Sequence, residues 1–272
     1  MPYIELDTGI RMHYRDGGDG PPIVFVPGFS ATVDAFNYQM LDLSERFRCV
    51  CIDQRGHGLS DKPVSAYTYD EFCADLAAFL AALDLRDVTL VGWSMGAGIA
   101  LKYVTDFNDE SRVTRLAMVG AATPRFRQSD TEPFGMDEET AAATLEGIRR
   151  SYPEAMAGFA DANFHRNDME ATKAWFLSHW LTLPAYAAYW SFRSLLEEDL
   201  RENVERVDLP TLLLHGRHDQ VCDVRWIQYL GQRIAGARTV YLENSGHALM
   251  VEEPDRFSEE IAAFARQTAG VL

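Results

Sequence analysis

The chain has 272 residues, 47% hydrophobic and 24% charged, which is enough for one large α/β domain or two small ones. Its 25 basic and 41 acidic residues give a formal net charge of −16, which argues against nucleic acid and anionic membrane surfaces as partners, because phosphates attract lysine and arginine. The charge is typical of a solvated acidic surface that aids solubility, with a salty habitat or repulsion of anionic substrates as the alternative.

The N-terminal stretch MPYIELDTGI has no basic segment followed by an apolar one, so it does not resemble a signal peptide. Apolar runs elsewhere stay well below the roughly 18–20 residues that a membrane span needs. We therefore expect a cytoplasmic protein that does not bind membranes.

Short apolar runs bounded by turn residues predict β-strands along the chain. Residues 3–6 and 11–14 flank the turn DTG and predict an antiparallel hairpin. Later runs are continuously apolar rather than alternating, which favours strands covered on both faces, as in a parallel sheet. These runs are 23–26, 49–53, 88–91, 116–120, 211–215 and 239–242.

Helical patterns separate the strands. The clearest lies at 69–83, where one face with a 3.6-residue period carries Phe72, Leu76, Phe79, Leu80 and Leu83. Thr68 and Glu71 form a capping-box pattern at its start. The same periodicity returns after Pro254. Strands alternating with helices predict a doubly wound α/β fold, with a mostly parallel sheet and helices on both faces.

The region from about residue 123 to 208 contains no convincing strand and many aromatic residues. An insertion of that length should have its own structure. We expect a helical cap, or lid, over the carboxyl edge of the sheet. The core domain then comprises residues 1–122 and 209–272, and the cap comprises 123–208.

The four cysteines do not form a recognisable framework of disulfides or zinc ligands. Cys49 and Cys51 are two apart in a strand-like run, so they share a face and lack disulfide geometry. With Cys73 and Cys222, they are interpreted as reduced thiols that mostly fill the core.

The stretch VTLVGWSMGAGIALKY, residues 88–103, places Ser94 between a buried strand and a helix. In an open parallel sheet, ligands bind beyond the carboxyl ends of the strands, where this hydroxyl would project. Gly92 and Gly96 remove the Cβ atoms that would collide across so tight a turn. The helix beginning near Met95 would present unpaired N–H groups to an oxyanion. The pattern predicts a nucleophilic serine.

A serine nucleophile needs a base, and the base needs an orienting acid. Of seven histidines, His247 follows the strand 239–242 and precedes the last helix, while Asp219 follows the strand 211–215. His57 lies on a glycine-rich turn and is interpreted as a stabiliser of that turn. His215, His218 and Asp219 have a spacing that suggests metal binding, but no third-ligand motif accompanies them, so no metal is expected.

The segments GWSMG, HGRHD and SGH, together with FVPGFS and DQRGHGLSDKP, resemble the α/β-hydrolase fold superfamily from about residue 3 to 266. The resemblance implies a triad of Ser94, Asp219 and His247. It also implies a lid inserted after the sixth strand, no cofactor, and an oxyanion hole formed by the backbone N–H groups of Phe29 and Met95.

The expected reaction is cleavage of a small hydrophobic carboxylic ester or lactone. The predicted pocket residues are Trp93, Phe126, Trp175, Trp180, Trp190 and Leu249. Cofactor-free haloperoxidases (perhydrolases), enol-lactonases and carbon–carbon bond hydrolases are similar, although the last often carry asparagine where Trp93 stands. A ligand receptor or stress regulator with little turnover is the alternative from another class. The oligomeric state is not readable from the sequence.

Overall fold

A mostly parallel sheet of eight strands runs through the part of the chain that this computed structural model describes, residues 2–130 and 134–267. The strand order is β1-β2-β4-β3-β5-β6-β7-β8; β1 and β2 pair antiparallel, β2 pairs antiparallel with β4, and the other pairs are parallel. The strands are β1 (Tyr3–Glu5), β2 (Arg11–Gly17), β3 (Pro22–Val26), β4 (Arg48–Ile52), β5 (Val88–Trp93), β6 (Val113–Val119), β7 (Thr211–Gly216) and β8 (Arg238–Leu242).

The predicted strands agree with the observed ones to within a few residues at each end. Every residue of β5 and β7 is buried, which explains their continuous apolar sequence, because helices cover both faces of the sheet. Cys49 and Cys51 belong to the same buried cluster on one face, as their spacing predicts, and all four cysteines are free and buried.

The helices are α1 (Asn37–Leu43), α2 (Tyr69–Ala82), α3 (Met95–Asp106), α4 (Glu138–Arg150), α5 (Tyr152–Ala162), α6 (Glu170–Trp180), α7 (Ala185–Glu197), α8 (Arg201–Val204), α9 (Val224–Arg233), α10 (Leu249–Glu252) and α11 (Pro254–Ala265). Apolar residues of α2, α3 and α9 pack in the cluster on one face of the sheet, and those of α1, α10 and α11 pack on the other. The fold is therefore a three-layer α/β/α arrangement, as predicted.

Local capping signals fix the ends of two helices. The Thr68 side chain accepts a hydrogen bond from the Glu71 N–H, and the Glu71 carboxylate accepts one from the Thr68 N–H at 2.8 Å, so the predicted capping box forms at α2. Pro254 begins α11, where a missing N–H costs nothing.

Helices α4 to α8 follow β6 and precede β7 in the chain, where the sequence predicts an insertion. Two aromatic rings of this segment, Phe159 on α5 and Phe192 on α7, contact Phe29 in the loop after β3. Its division from the core at residues 123 and 208 stays a prediction. None of the helices within the described ranges combines the length and the apolar character that crossing a lipid bilayer requires.

Candidate active site

Ser94 is the single residue between β5 and α3, and it has φ 58° and ψ −121°. This positive φ is unfavourable for a residue with a side chain, and the surrounding backbone must hold it. The Ser94 N–H donates to the carbonyl of Val119 at the end of β6, at 2.9 Å. The turn therefore forces the hydroxyl to project beyond the carboxyl edge of the sheet.

Glycines on both sides of Ser94 are required by backbone contacts. A Cβ on Gly92 would lie 2.3 Å from the carbonyl oxygen of Gly96, and a Cβ on Gly96 would lie 2.2 Å from that of Val26. Both distances are far below van der Waals contact with atoms that cannot rotate away. Because both residues are glycines, α3 can pack closely against the end of β3. The chain can then change from strand to helix at the single residue Ser94.

The structure brings Asp219, which follows β7, and His247, which follows β8, together at the same edge. His247 Nδ1 lies 2.7 Å from Asp219 Oδ2, and neither side chain has exposed surface. The other carboxylate oxygen accepts hydrogen bonds from the N–H groups of Val221 and Cys222, at 2.8 Å each. The acid is therefore held in one orientation.

This contact determines which imidazole nitrogen can act as a base. A carboxylate only accepts hydrogen bonds, so Nδ1 of His247 carries the proton and Nε2 has the free lone pair. Nε2 is buried and has no hydrogen-bond partner within the described residues. A buried imidazole nitrogen without a partner is costly unless a ligand or reacting group uses it.

Ser94 lies at the same edge, between β5 and α3. The thiol of Cys222 belongs to a cluster with Asp219 and His247 whose donor atoms lie within 4.8 Å of one another. The Ser94–His247 hydrogen bond itself is not formed among the described atoms. Such bonds often tighten only when substrate is bound.

Two further contacts hold the His247 loop. The Trp93 indole N–H donates to the His247 carbonyl at 3.0 Å, and the two rings lie 5.3 Å apart. The N–H of Gly246 donates to the buried carboxylate of Glu252 at 2.7 Å. Trp93, predicted as a pocket residue, therefore supports the base from the buried core.

The positions of Phe29 and Met95 suit the predicted oxyanion hole. A Cβ on Gly28 would lie 2.7 Å from Ser94 Cβ and 3.4 Å from its Oγ, so the loop carrying Phe29 lies directly against the serine. Met95 is the first residue of α3, where an N–H has no acceptor within the helix.

Aromatic side chains form a row above this loop. The ring of Phe29 lies 5.8 Å from that of Phe159 on α5 and 5.4 Å from that of Phe192 on α7. Phe126 extends the row, 6.3 Å from Phe192 and 5.3 Å from Trp226. Phe126 was predicted to line a pocket. Phe159 and Phe192 were not predicted to line it. Only their contacts with Phe29 distinguish them from the other aromatic residues of the segment, and these contacts cannot be read from the sequence.

The other predicted pocket residues differ in position. Trp180 is 1% exposed and its ring lies 5.2 Å from that of Phe159, so it packs against one end of the row, whereas Leu249 is wholly buried in the core. The structure does not bring Trp175 and Trp190 to the aromatic row, because their helices direct them to the surface. Trp175 lines a surface groove beside Tyr38, and Trp190 is 41% exposed.

His57 occupies the structural position that its turn predicts. Its Nδ1 lies 2.9 Å from the carbonyl of Arg55, and the side chain is wholly buried. Burial lowers the pKa of His57 to about 4, because the charged imidazolium loses its hydration. The ring is therefore neutral at pH 7.

Comparison with known proteins identifies the family of the chain. A family profile for the alpha/beta hydrolase fold matches residues 21–254. An AB hydrolase superfamily protein of Bacillus subtilis is 31% identical, over 97% of this chain and 98% of its own length. A non-heme haloperoxidase of Rhodococcus erythropolis is 30% identical, over 82% and 84%. The solved structure of an esterase from Exiguobacterium antarcticum superposes with a TM-score of 0.94 at 33% identity, covering 97% of this chain and 99% of that one.

The chain therefore belongs to the α/β-hydrolase fold family, and the predicted fold class and resemblance are confirmed. Its relatives carry the names of esterases and non-heme haloperoxidases, and the solved structure of an enol-lactonase from Burkholderia xenovorans has the same fold, with a TM-score of 0.87 at 23% identity.

Proposed function

We propose that the protein is a serine hydrolase that cleaves a carboxylic ester or lactone through an acyl-enzyme on Ser94. The observation that carries the proposal is the buried pair at 2.7 Å between His247 Nδ1 and Asp219 Oδ2. This pair leaves Nε2 as a free base at the same sheet edge as a serine on a strained turn. A nucleophile, a base and an orienting acid are the parts that acyl transfer requires.

In the first half of the reaction, His247 Nε2 takes the Ser94 proton while Oγ attacks the substrate carbonyl carbon. The resulting oxyanion accepts hydrogen bonds from the N–H groups of Phe29 and Met95, an effect of about 3 kcal/mol per donor. Asp219 stabilises the imidazolium. The carbon–oxygen bond to the alcohol then breaks, and the leaving alkoxide takes the proton from His247.

In the second half, His247 takes a proton from water, and the hydroxide oxygen attacks the acyl carbon. Collapse of this second tetrahedral intermediate breaks the bond to Ser94 Oγ, which recovers its proton from His247. The carboxylic acid leaves. For a lactone, acid and alcohol leave as one molecule.

The aromatic row of Phe29, Phe159, Phe192 and Phe126 favours a substrate with a hydrophobic or aromatic group next to the reacting carbonyl. The esterase relative supports ester hydrolysis. The haloperoxidase relative favours a second candidate, in which hydrogen peroxide replaces water in the deacylation step and releases a peroxyacid.

The test is steady-state turnover of a panel of aryl esters and lactones by the wild-type protein and Ser94→Ala. We expect kcat to fall by about 10⁴-fold or more, because the covalent route is lost. Ser191→Ala removes a buried hydroxyl on α7 and serves as the matched control with near wild-type turnover. Wild-type turnover by Ser94→Ala would exclude the proposal.

The same panel separates the alternatives. Added peroxide that raises the rate of peroxyacid formation above that of hydrolysis would favour the perhydrolase. A single burst of product followed by a stall would favour a ligand receptor or regulator over an enzyme.

A further inference from the structure

Cys222 is one of four buried cysteines, and it lies beside the candidate triad. Its N–H donates to Asp219 Oδ1, so the turn after β7 folds back and brings the thiol next to the acid. Asp219, Cys222 and His247 each offer one donor atom, and these atoms lie within 4.8 Å of one another. The proposed mechanism makes no use of the thiol.

We propose that Asp219, Cys222 and His247 form a binding site for a thiophilic divalent cation such as Zn²⁺, and that occupancy of this site switches the catalytic base off. A thiolate, an imidazole nitrogen and a carboxylate oxygen are a donor set that Zn²⁺ favours. The inference rests on the proposed function only for its effect on turnover, since cation binding is measured independently.

The spacing suits a small ion. Ligand atoms around tetrahedral Zn²⁺ lie about 3.3–3.8 Å apart, given bonds of about 2.0–2.3 Å. The widest separations in the cluster, which are within 4.8 Å, therefore need to contract by about 1 Å, and a cation on Nδ1 also needs the Asp219–His247 pair, 2.7 Å apart, to open by a similar amount. Side-chain rotation supplies such a movement.

The second observation is the nitrogen of the base that has no hydrogen-bond partner. His247 Nε2 is buried and has no hydrogen-bond partner among the residues described, and the whole side chain is inaccessible to solvent. A cation on Nε2 would occupy the lone pair that takes the serine proton. A cation on Nδ1 would displace the Asp219 hydrogen bond. In both arrangements the base is lost.

Binding must also release a proton, because the metal-bound form of cysteine is the thiolate.

The first experiment measures Zn²⁺ affinity directly, by competition with a chromophoric chelator, for the wild-type protein, Cys222→Ala, Cys222→Ser and Cys73→Ala. Cys73 is equally buried but lies on α2, so Cys73→Ala is the matched control. We expect one Zn²⁺ per chain for the wild-type protein and Cys73→Ala. Both Cys222 variants should bind at least tenfold more weakly.

Co²⁺ in place of Zn²⁺ should give a thiolate-to-cobalt charge-transfer band in the wild-type protein and not in Cys222→Ala. This signature identifies the thiol as a ligand whether or not the variants fold well. Absence of the band from the wild-type protein would overturn the proposal.

The second experiment titrates Zn²⁺ into the ester assay, with each variant normalised to its own metal-free rate. Wild-type turnover should fall with the midpoint that equals the measured Kd and recover with EDTA. The midpoint should rise at least tenfold in Cys222→Ala. Activation by Zn²⁺ would overturn the proposal.

A rival site is the exposed, stacked pair His165 and His218, whose ring centroids are 3.7 Å apart. His218→Gln tests it. A Zn²⁺ affinity that falls in His218→Gln and is unchanged in Cys222→Ala would overturn the proposal. Failure of the proposed function looks different, because Ser94→Ala should keep most of the Zn²⁺ affinity even if no ester is turned over.

Discussion

Gly28 is important for the geometry of the candidate site because its lack of a side chain lets the loop after β3 lie against Ser94. The residue lies between the core strand β3 and Phe29, and its α-carbon faces Ser94. An alanine methyl here would lie 2.7 Å from Ser94 Cβ and 3.0 Å from the Trp93 carbonyl oxygen. The loop must move by several tenths of an ångström to accept it.

We expect Gly28→Ala to lower kcat by about 10–100-fold, because the Phe29 N–H is displaced from the oxyanion. Gly158→Ala, on α5 with open space around its Cα, is the control and should keep wild-type kcat while gaining about 0.5–1 kcal/mol of stability. Unchanged kcat in Gly28→Ala would argue against a role for the 27–29 loop.

The burial of His57 should make the free energy of unfolding depend on pH. Burial lowers its pKa to about 4 in the folded state, below the usual value of about 6.5 in the unfolded chain. Between these values the unfolded state binds more protons, so the free energy of unfolding rises with pH. The stabilisation is complete above pH 6.5 and is lost as the pH falls towards 4, by about 3 kcal/mol at most.

Denaturant titrations of the wild-type protein and His57→Gln at pH 4.5 and 7 measure this effect. The variant should lose less stability between these two pH values than the wild-type protein. His218→Gln, on the surface, should keep the wild-type pH dependence. Equal pH dependence in all three proteins would contradict the assignment.

At the scale of elements, the short helix α10 joins the base to the segment above it. Glu252, at the end of α10, is 2% exposed. Its carboxylate accepts hydrogen bonds from the N–H groups of Gly246 at 2.7 Å and of His165 and Arg166 at 2.8 Å each. One carboxylate therefore fixes both the loop that precedes His247 and the loop after α5.

Glu252→Gln places an amide NH₂ group against these N–H donors, and the amide cannot accept all three hydrogen bonds. We expect a loss of about 1–3 kcal/mol of stability and a lower kcat, because His247 is less firmly positioned. A purely structural role would leave kcat of the folded fraction unchanged. Glu259→Gln on α11, where the side chain is 72% exposed, is the control for the loss of charge.

Secondary structure was well predicted because local sequence determines it. The hairpin, the strands and the capping box of α2 follow from apolar periodicity and from Thr68 and Glu71 themselves. The ends of the strands were less well predicted: β6 begins at Val113 rather than at residue 116, because its pairing with β5 decides where it starts.

At the scale of the whole molecule, helix α7 has one face packed against the interior and another exposed to solvent. Phe192 points to Phe29 and is 5% exposed, whereas Trp190 lies on the outer surface and is 41% exposed. Both are large aromatic residues two positions apart, so the sequence does not distinguish them without knowing which face of the helix meets the core.

Phe192→Ala should raise KM for aryl and long-chain esters by about tenfold or more, while the acetyl ester of the same alcohol changes little, because only the larger acyl groups reach the aromatic row. Trp190→Ala should leave both values unchanged. Steady-state kinetics on a matched series of acyl chain lengths would measure the difference, and equal effects on all chain lengths would contradict the pocket.

The sequence alone determined the alternation of strands and helices, the glycine-flanked turn at Ser94, and the chain order of serine, acid and histidine, because these depend on neighbouring residues. Only the tertiary structure decided which aromatic residues meet Phe29, that Trp93 supports His247 from 154 residues away, and that Cys222 lies beside the base. Such contacts join residues far apart in the chain, and they are set by how strands and helices pack together rather than by any local pattern.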